Sequence, residues 1–307
     1  MVSTMHADFG WYPEPLDLTV GAVSVCTLPD LEGNTSWVGQ DSGVEGDWIY
    51  APMREQHVIG HGVRTLPYPS RIFSLPKTHR LAHAAAEGQE HLDFLLWALG
   101  FFVGMRLTAT EAGFVDATPT KPRKLVDFLI GGREVEQAMG LAERFWQANK
   151  AERSRAKRWG AAVHALFIGQ GPQLLQYERF IYLYGALDAC YALASDLLGP
   201  VTGRITHAGR IAWLCRQLNM PVPAWADDTG GAGSPLADIR NPMLHESLFL
   251  DAPLGFAVHG LGTGQNLPLE MKAVICRWLV ALLGDPTGDY VRSPVTTRMR
   301  HGWDPPA

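Results

Sequence analysis

The sequence predicts an α+β protein, mostly α: a small β-containing N-terminal domain with additional helices, then a C-terminal bundle of four to five helices. Three observations lead there. Residues 11–78 are rich in Pro, Gly and β-branched residues. From His79 onward the apolar residues recur at helical spacing. Beyond Gly171-Pro172, four helix-length segments follow one another across short or medium loops, the ingredients of a compact bundle.

In the N-terminal part, LDLTVGAVSVCTL (16–28) has strand composition, and shorter candidates recur at 47–51, 57–66 and 71–75. Residues 79–107 and 133–168 read as helices joined by TATEAGFVDATPTKPRK, a loop by its prolines and Thr/Lys content. The C-terminal helices are expected at 173–199, closed by Gly199-Pro200; at 204–219, stopped by Pro221 and Pro223; at 236–249; and at 267–283, ended by Gly284-Asp285-Pro286. The expected domains are therefore 1–120 (β-rich plus helix), 121–172 (helical connector), 173–285 (helical bundle) and 286–307 (a loosely ordered tail). No internal repeat is found.

Composition narrows the function classes. The 307 residues are 47% hydrophobic and 19% charged, values of a globular chain. A net charge of −5 and a pI near 6.1 argue against a protein that coats nucleic acid non-specifically, because phosphate neutralisation needs a basic surface. Cys26, Cys190, Cys215 and Cys276 form no CxxC pair, and three of them lie in apolar helical patterns, as expected in a reducing compartment. The N-terminus lacks a basic region followed by an apolar run, so no signal peptide is read. The most apolar stretch, Phe94 to Met105, is far short of the roughly 20 residues a span requires, and reads as a core helix. A cytoplasmic protein with no membrane role is expected.

The segment that carries chemistry is IRNPMLHE, residues 239–246. Arg240 brings a permanent cation with a planar fork of donors suited to phosphate. His245 brings a group that exchanges protons near neutral pH. Asn241 lies four residues before His245, on the same helix face, where it can orient the imidazole. Arg240 and His245 are about 140° apart around an ideal helix, a gap the long arginine must close. Pro242 fits best in a first helical turn, which would put Arg240 at the helix mouth. Spacing alone is cheap: Arg54/His61 and Arg158/His164 match the same loose pattern. Without a shared site, Arg240 and His245 would be a helix-start cation and a packed imidazole.

RNPMLHE, with ERFIYLYGALDAC upstream and a closing CRWLVALLG helix, resembles the HEPN superfamily, marked by Arg, usually a polar residue, then His four to six positions after the Arg. The resemblance covers roughly residues 173–284. It implies a helical bundle and, in many members, a dimeric metal-independent endoribonuclease of toxin, antiviral or RNA-processing systems; other members bind or assemble without catalysis. Members regulated by nucleotidylation carry Tyr two positions after the His, where this chain has Ser247.

The expected function is thus cleavage of RNA by 2′-OH attack on the adjacent phosphate, with a 2′,3′-cyclic phosphate as product. His245 acts as base or acid, Arg240 stabilises phosphoryl charge, and Asn241 orients His245 or touches phosphate. A non-catalytic nucleotide- or partner-binding module is the alternative. Because one chain offers one such histidine, a homodimer with the 236–249 helices near its axis is expected. A protein regulator is a further expected partner, and no cofactor or metal is expected. The run KAERSRAKR (150–158) supplies Lys150, Arg153, Arg155, Lys157 and Arg158 as candidate contacts for an RNA backbone, or a plain solvated helix face. His79 and His83, and likewise His57 and His61, are four apart without a third ligand, so exposed histidines are expected there. Gly260–Asn266 reads as a plain loop. Tyr177, Phe180, Tyr184 and Tyr191 recur at helical spacing, and core packing is expected of them.

Overall fold

The computed structural model describes residues 4–199, 205–207, 209–227, 234–245, 267–295 and 300–306. Both helices and strands are present, and the chain divides into two compact units. The first comprises residues 1–125, 135–140 and 171–173; the second comprises 126–134, 141–170 and 174–307. The segment expected as a connector therefore contributes to both.

The first unit opens with β1 (Met5–Phe9), β2 (Leu18–Val20), β3 (Val23–Thr27) and α1 (Leu31–Gly39). Short strands β4 (Val44–Glu45) and β5 (Trp48–Tyr50) precede a hairpin of β6 (Met53–Val58) and β7 (Gly62–Pro69). Then come β8 (Ile72–Phe73), β9 (His79–His83), α2 (Gln89–Val103), β10 (Phe114–Val115) and β11 (Ala117–Pro119). The main sheet is antiparallel, in the order β1-β9-β3-β2.

Three expectations are corrected here. HRLAH, expected to begin a helix, is the central strand β9. Its residues alternate: His79, Leu81 and His83 are buried, while Arg80 on the other face pairs with Asp8 at 2.6 Å. Strand neighbours on both sides, Phe9–Met5 and Thr27–Val23, decide its conformation, and no local pattern records them. Secondly, the histidines of β9 are not exposed: His79 stacks on Phe9 with ring centroids 5.6 Å apart, and His83 lies 4.5 Å from His91 of α2. His57 and His61 in the hairpin are exposed, as expected. Thirdly, the expected loop after Leu107 contains β10 and β11, which find their partners far upstream in β8 and β5. β1, in a segment where no strand was expected, pairs with β9 residue for residue.

α2 covers the apolar run from Phe94 and ends at Gly104, which adopts φ 64°, a left-handed conformation that favours glycine. Leu95, Leu99, Phe101 and Phe102 are fully buried, the expected core helix. Among the described residues no helix is long and apolar enough to cross a membrane.

The second unit holds β12 (Phe128–Leu129), α3 (Gly132–Asn149), α4 (Ser154–Ile168), α5 (Gln176–Leu197) and α6 (Gly209–Gln217). α7 (Pro235–His245), α8 (Leu267–Leu283), α9 (Asp289–Arg292) and β13 (His301–Gly302) complete it. The helix expected over 133–168 is two helices, broken by a turn at residues 150–153. α5 packs on both α4 and α8. Every residue of α8 from Ala273 to Leu283 is buried, as a helix at the centre of a core must be. Trp159 of α4 donates its indole N–H to the Leu279 carbonyl at 3.0 Å.

The tail is held, not loose, across its described residues. Trp303 is buried against Phe128 and donates to Asp285 at 2.9 Å, and β13 pairs in parallel with β12. The expected extension of α7 to 249, Ser247, the 260–266 loop and residue 204 lie outside the described residues.

Candidate active site

The site is built on one stripe of α5. Tyr184, Asp188 and Tyr191 are spaced four and three residues apart, so they follow one another along one helix face. The helix is anchored at its start by Glu178, whose carboxylate accepts the Leu175 N–H at 2.9 Å. Two arginines from later elements lie against that stripe. Arg240 sits over the Tyr184 ring at 5.6 Å, and Arg210 over the Tyr191 ring at 4.8 Å. Arg210 also donates to Asp188 at 2.8 Å. The aromatic repeat expected as plain core is therefore partly a cation platform: Phe180 and Tyr184 are buried and stacked at 5.9 Å, while Tyr191 is half-buried.

α7 presents the motif. Ser234 caps it by accepting the Ala237 N–H on its hydroxyl, and Pro235 occupies the first helical position. This start lies one residue from the expected 236 and corrects the expectation that Pro242 sits in the first turn with Arg240 at the helix mouth. Arg240 lies in mid-helix, and Pro242, which has no N–H, leaves the Asp238 carbonyl without its usual helical donor.

The two motif residues meet despite their angular separation. Arg240 Nη1 lies 2.8 Å from His245 Nε2 and donates to Asn241 Oδ1 at 2.9 Å. A guanidinium has only donors, so the facing imidazole nitrogen must be the acceptor and the ring proton belongs on Nδ1. Asn241 thus holds Arg240; the expected hold on His245 is absent from the described contacts. Arg240 is only 9% exposed, and its Nε is buried without an acceptor among the described residues. His245 and Asn241 are exposed. The arrangement is a sunken cation beneath an open imidazole.

Sequence reasoning missed one member. His207 lies in the turn that starts α6, where Thr206 accepts the Gly209 N–H on its hydroxyl at 3.2 Å. Its Nδ1 is 3.9 Å from Asp188 Oδ2, within ion-pair range. Burial holds its pKa below the usual imidazole value; the charges of Arg210, Arg240 and His245 act the same way, against Asp188. Burial raises the Tyr184 phenol, helped by Asp188 and opposed by Arg240 and Arg210. The available signal was ITHAGR, a histidine three residues before an arginine at a helix start, but nothing in the chain order ties it to α5 or α7.

Comparison with protein-family profiles, with curated proteins and with solved structures finds no match.

The remaining expected contacts lie elsewhere. Arg155 donates to Asn149 and to the Asp196 carbonyl, Arg158 pairs with the Asp196 carboxylate, and Arg153 sits over Trp146 at 5.9 Å. These three cations have protein partners, and Lys150 and Lys157 are exposed. The match Arg158/His164 is likewise a helix-surface arginine held by Asp196. Three of the cysteines are buried thiols with raised pKa, Cys215 up to about 12 through burial, so they do not supply a nucleophile; Cys26 is exposed.

Proposed function

We propose that the second unit is a HEPN-type helical bundle acting as a metal-independent endoribonuclease. The observation that carries this reading is the 2.8 Å contact between Arg240 and His245, made across α7 by residues five apart in sequence. Beside them, among the described residues, stand the Asp188 carboxylate, Arg210 and His207, and the two arginines are suited to a phosphodiester.

The chemistry follows from the residues. A phosphate entering over α7 offers better acceptors to Arg240 Nη1 than an imidazole does, and so displaces His245 Nε2. The guanidinium then faces the phosphoryl oxygens where charge builds in the transition state. His245, released, is a proton-transfer group at the open edge of the site. The 2′-oxygen attacks phosphorus, the bond to the 5′-oxygen breaks, and the products are a 2′,3′-cyclic phosphate and a 5′-hydroxyl.

Incubating the full chain with mixed RNA in EDTA and analysing the new ends tests this. Cyclic phosphate ends, lost in His245→Ala and in Arg240→Ala, are expected; an intact RNA pool would overturn the reading. One observation favours the alternative of a non-catalytic binding module: the deep burial of Arg240, which leaves little of its guanidinium open to a ligand. In that case the module meets its partner through another surface, and the same protein neither cuts nor retains an oligonucleotide through Arg240.

A further inference from the structure

We infer that His207 is the second proton-transfer group of this site, working with His245 of the same chain and positioned by Asp188. The inference rests on the endoribonuclease reading above. Transesterification must take a proton from the 2′-hydroxyl and give one to the 5′-oxygen, and a single imidazole cannot hold both positions at once.

The geometry supplies the second. Asp188 is fixed from two sides: its backbone is in the middle of α5, and its Oδ1 accepts from Arg210 at 2.8 Å. Its other oxygen faces His207 Nδ1 at 3.9 Å. At that distance the contact is electrostatic rather than a hydrogen bond; the carboxylate favours the ring proton on the nearer Nδ1, which leaves the lone pair a general base requires on Nε2. His207 is exposed, as a group that meets substrate must be. The charged and titratable groups that act on it among the described residues are Asp188 from α5, Arg210 from α6, and Arg240 and His245 from α7. Partial burial first, then the charges of Arg210, Arg240 and His245 against Asp188, hold its pKa below the usual imidazole value, which favours the neutral form a base needs.

The roles divide accordingly. His207 Nε2 takes the 2′-hydroxyl proton as the bond from O2′ to phosphorus forms. The bond from phosphorus to O5′ breaks, and His245, freed from Arg240 by the phosphate and protonated, gives its proton to O5′. His207 returns its proton to solvent, and His245 takes one back. Asp188 is a positioning residue; it does not touch the RNA.

The test uses the full-length chain in EDTA and a short single-stranded RNA that the wild type cleaves. The scissile linkage is made with either the natural 5′-oxygen or a bridging 5′-sulfur, a leaving group that needs no proton. His207→Ala is expected to lose about a hundredfold or more on both substrates, within the range ascribed to one positioned acid or base. His245→Ala is expected to lose as much on the oxygen substrate and to recover on the sulfur one. Asp188→Asn, which removes a charge that raises the His207 pKa, is expected to move the acidic limb of the rate profile to lower pH. That shift keeps the proposal testable if His207→Ala does not fold, and a purely structural aspartate would not produce it. His207→Ala protein that folds and cleaves at the wild-type rate overturns the second-histidine assignment while the nuclease stands. Recovery of His207→Ala on the sulfur substrate overturns its role as base. Wild-type protein that cleaves no RNA overturns the nuclease reading, and this inference with it.

Discussion

Arg240 does three things with one side chain: it lies on Tyr184, donates to Asn241 and meets His245. A lysine has the charge but neither the flat face nor the fork, so Arg240→Lys is not conservative here. We expect Arg240→Lys to lower the single-turnover cleavage rate by about two orders of magnitude, the scale of losing a preorganised donor to a developing oxyanion. A rate equal to wild type would show that charge alone suffices. His79 gives a residue-scale prediction of another kind. Burial holds its pKa down at about 4, against 6.5 for an unhindered imidazole. As pH falls below 6.5 the unfolded chain takes up a proton that folded His79 refuses until about 4, so stability is lost across that window and is unaffected above it. Melting temperature is expected to drop between pH 6.5 and 4, and less steeply in His79→Phe. Equal slopes in the two proteins would remove His79 from the account.

Among the elements, α8 and the tail depend on one buried ionic knot. Arg277, 1% exposed, donates to Asp127 at 2.6 Å and to the Ser293 hydroxyl at 2.9 Å, and lies 4.8 Å over the Tyr290 ring; the Tyr290 hydroxyl donates to Asp127. Removing Arg277 leaves the half-buried Asp127 carboxylate without its cation, so Arg277→Ala is expected to cost about 3 kcal/mol in chemical denaturation, the lower end for a buried pair. A loss below about 1 kcal/mol would place the pair among weak surface bridges. In the first unit, Gly10 offers a steric test: a Cβ there would lie 2.2 Å from the Pro76 carbonyl oxygen, so Gly10→Ala must move backbone. Its expected result is a clearly lowered melting temperature, and an unchanged one would contradict the packing described. These elements also show what the sequence can disclose. α5 and α8 were legible because Gly-Pro punctuation and unbroken apolar runs are local signals. β9 was not, since two distant strands decide that HRLAH is extended. The tail was misjudged because its anchors, Phe128 and Asp285, lie elsewhere in the chain. The same reason explains the site: Arg240 and His245 share one helix and could be found together, whereas His207 comes from a separate turn and lies beside Asp188 of α5.

At the scale of the whole molecule, the question is where a complete site resides. The sequence motif offers one histidine per chain and so predicts a homodimer; the second unit gathers His207, Asp188, Arg210, Arg240 and His245 within a single chain. We propose a complete site per chain, with any dimer serving another purpose. Mixing His207→Ala with His245→Ala protein is then expected to restore no activity. Recovery on mixing would return the site to a shared interface. The central claim, that this constellation cuts RNA, is tested most directly by the ends it leaves. In EDTA, wild-type protein is expected to yield 2′,3′-cyclic phosphate and 5′-hydroxyl ends, while His245→Ala yields none. Uncut RNA with the wild type, or equal cleavage by His245→Ala, would contradict it.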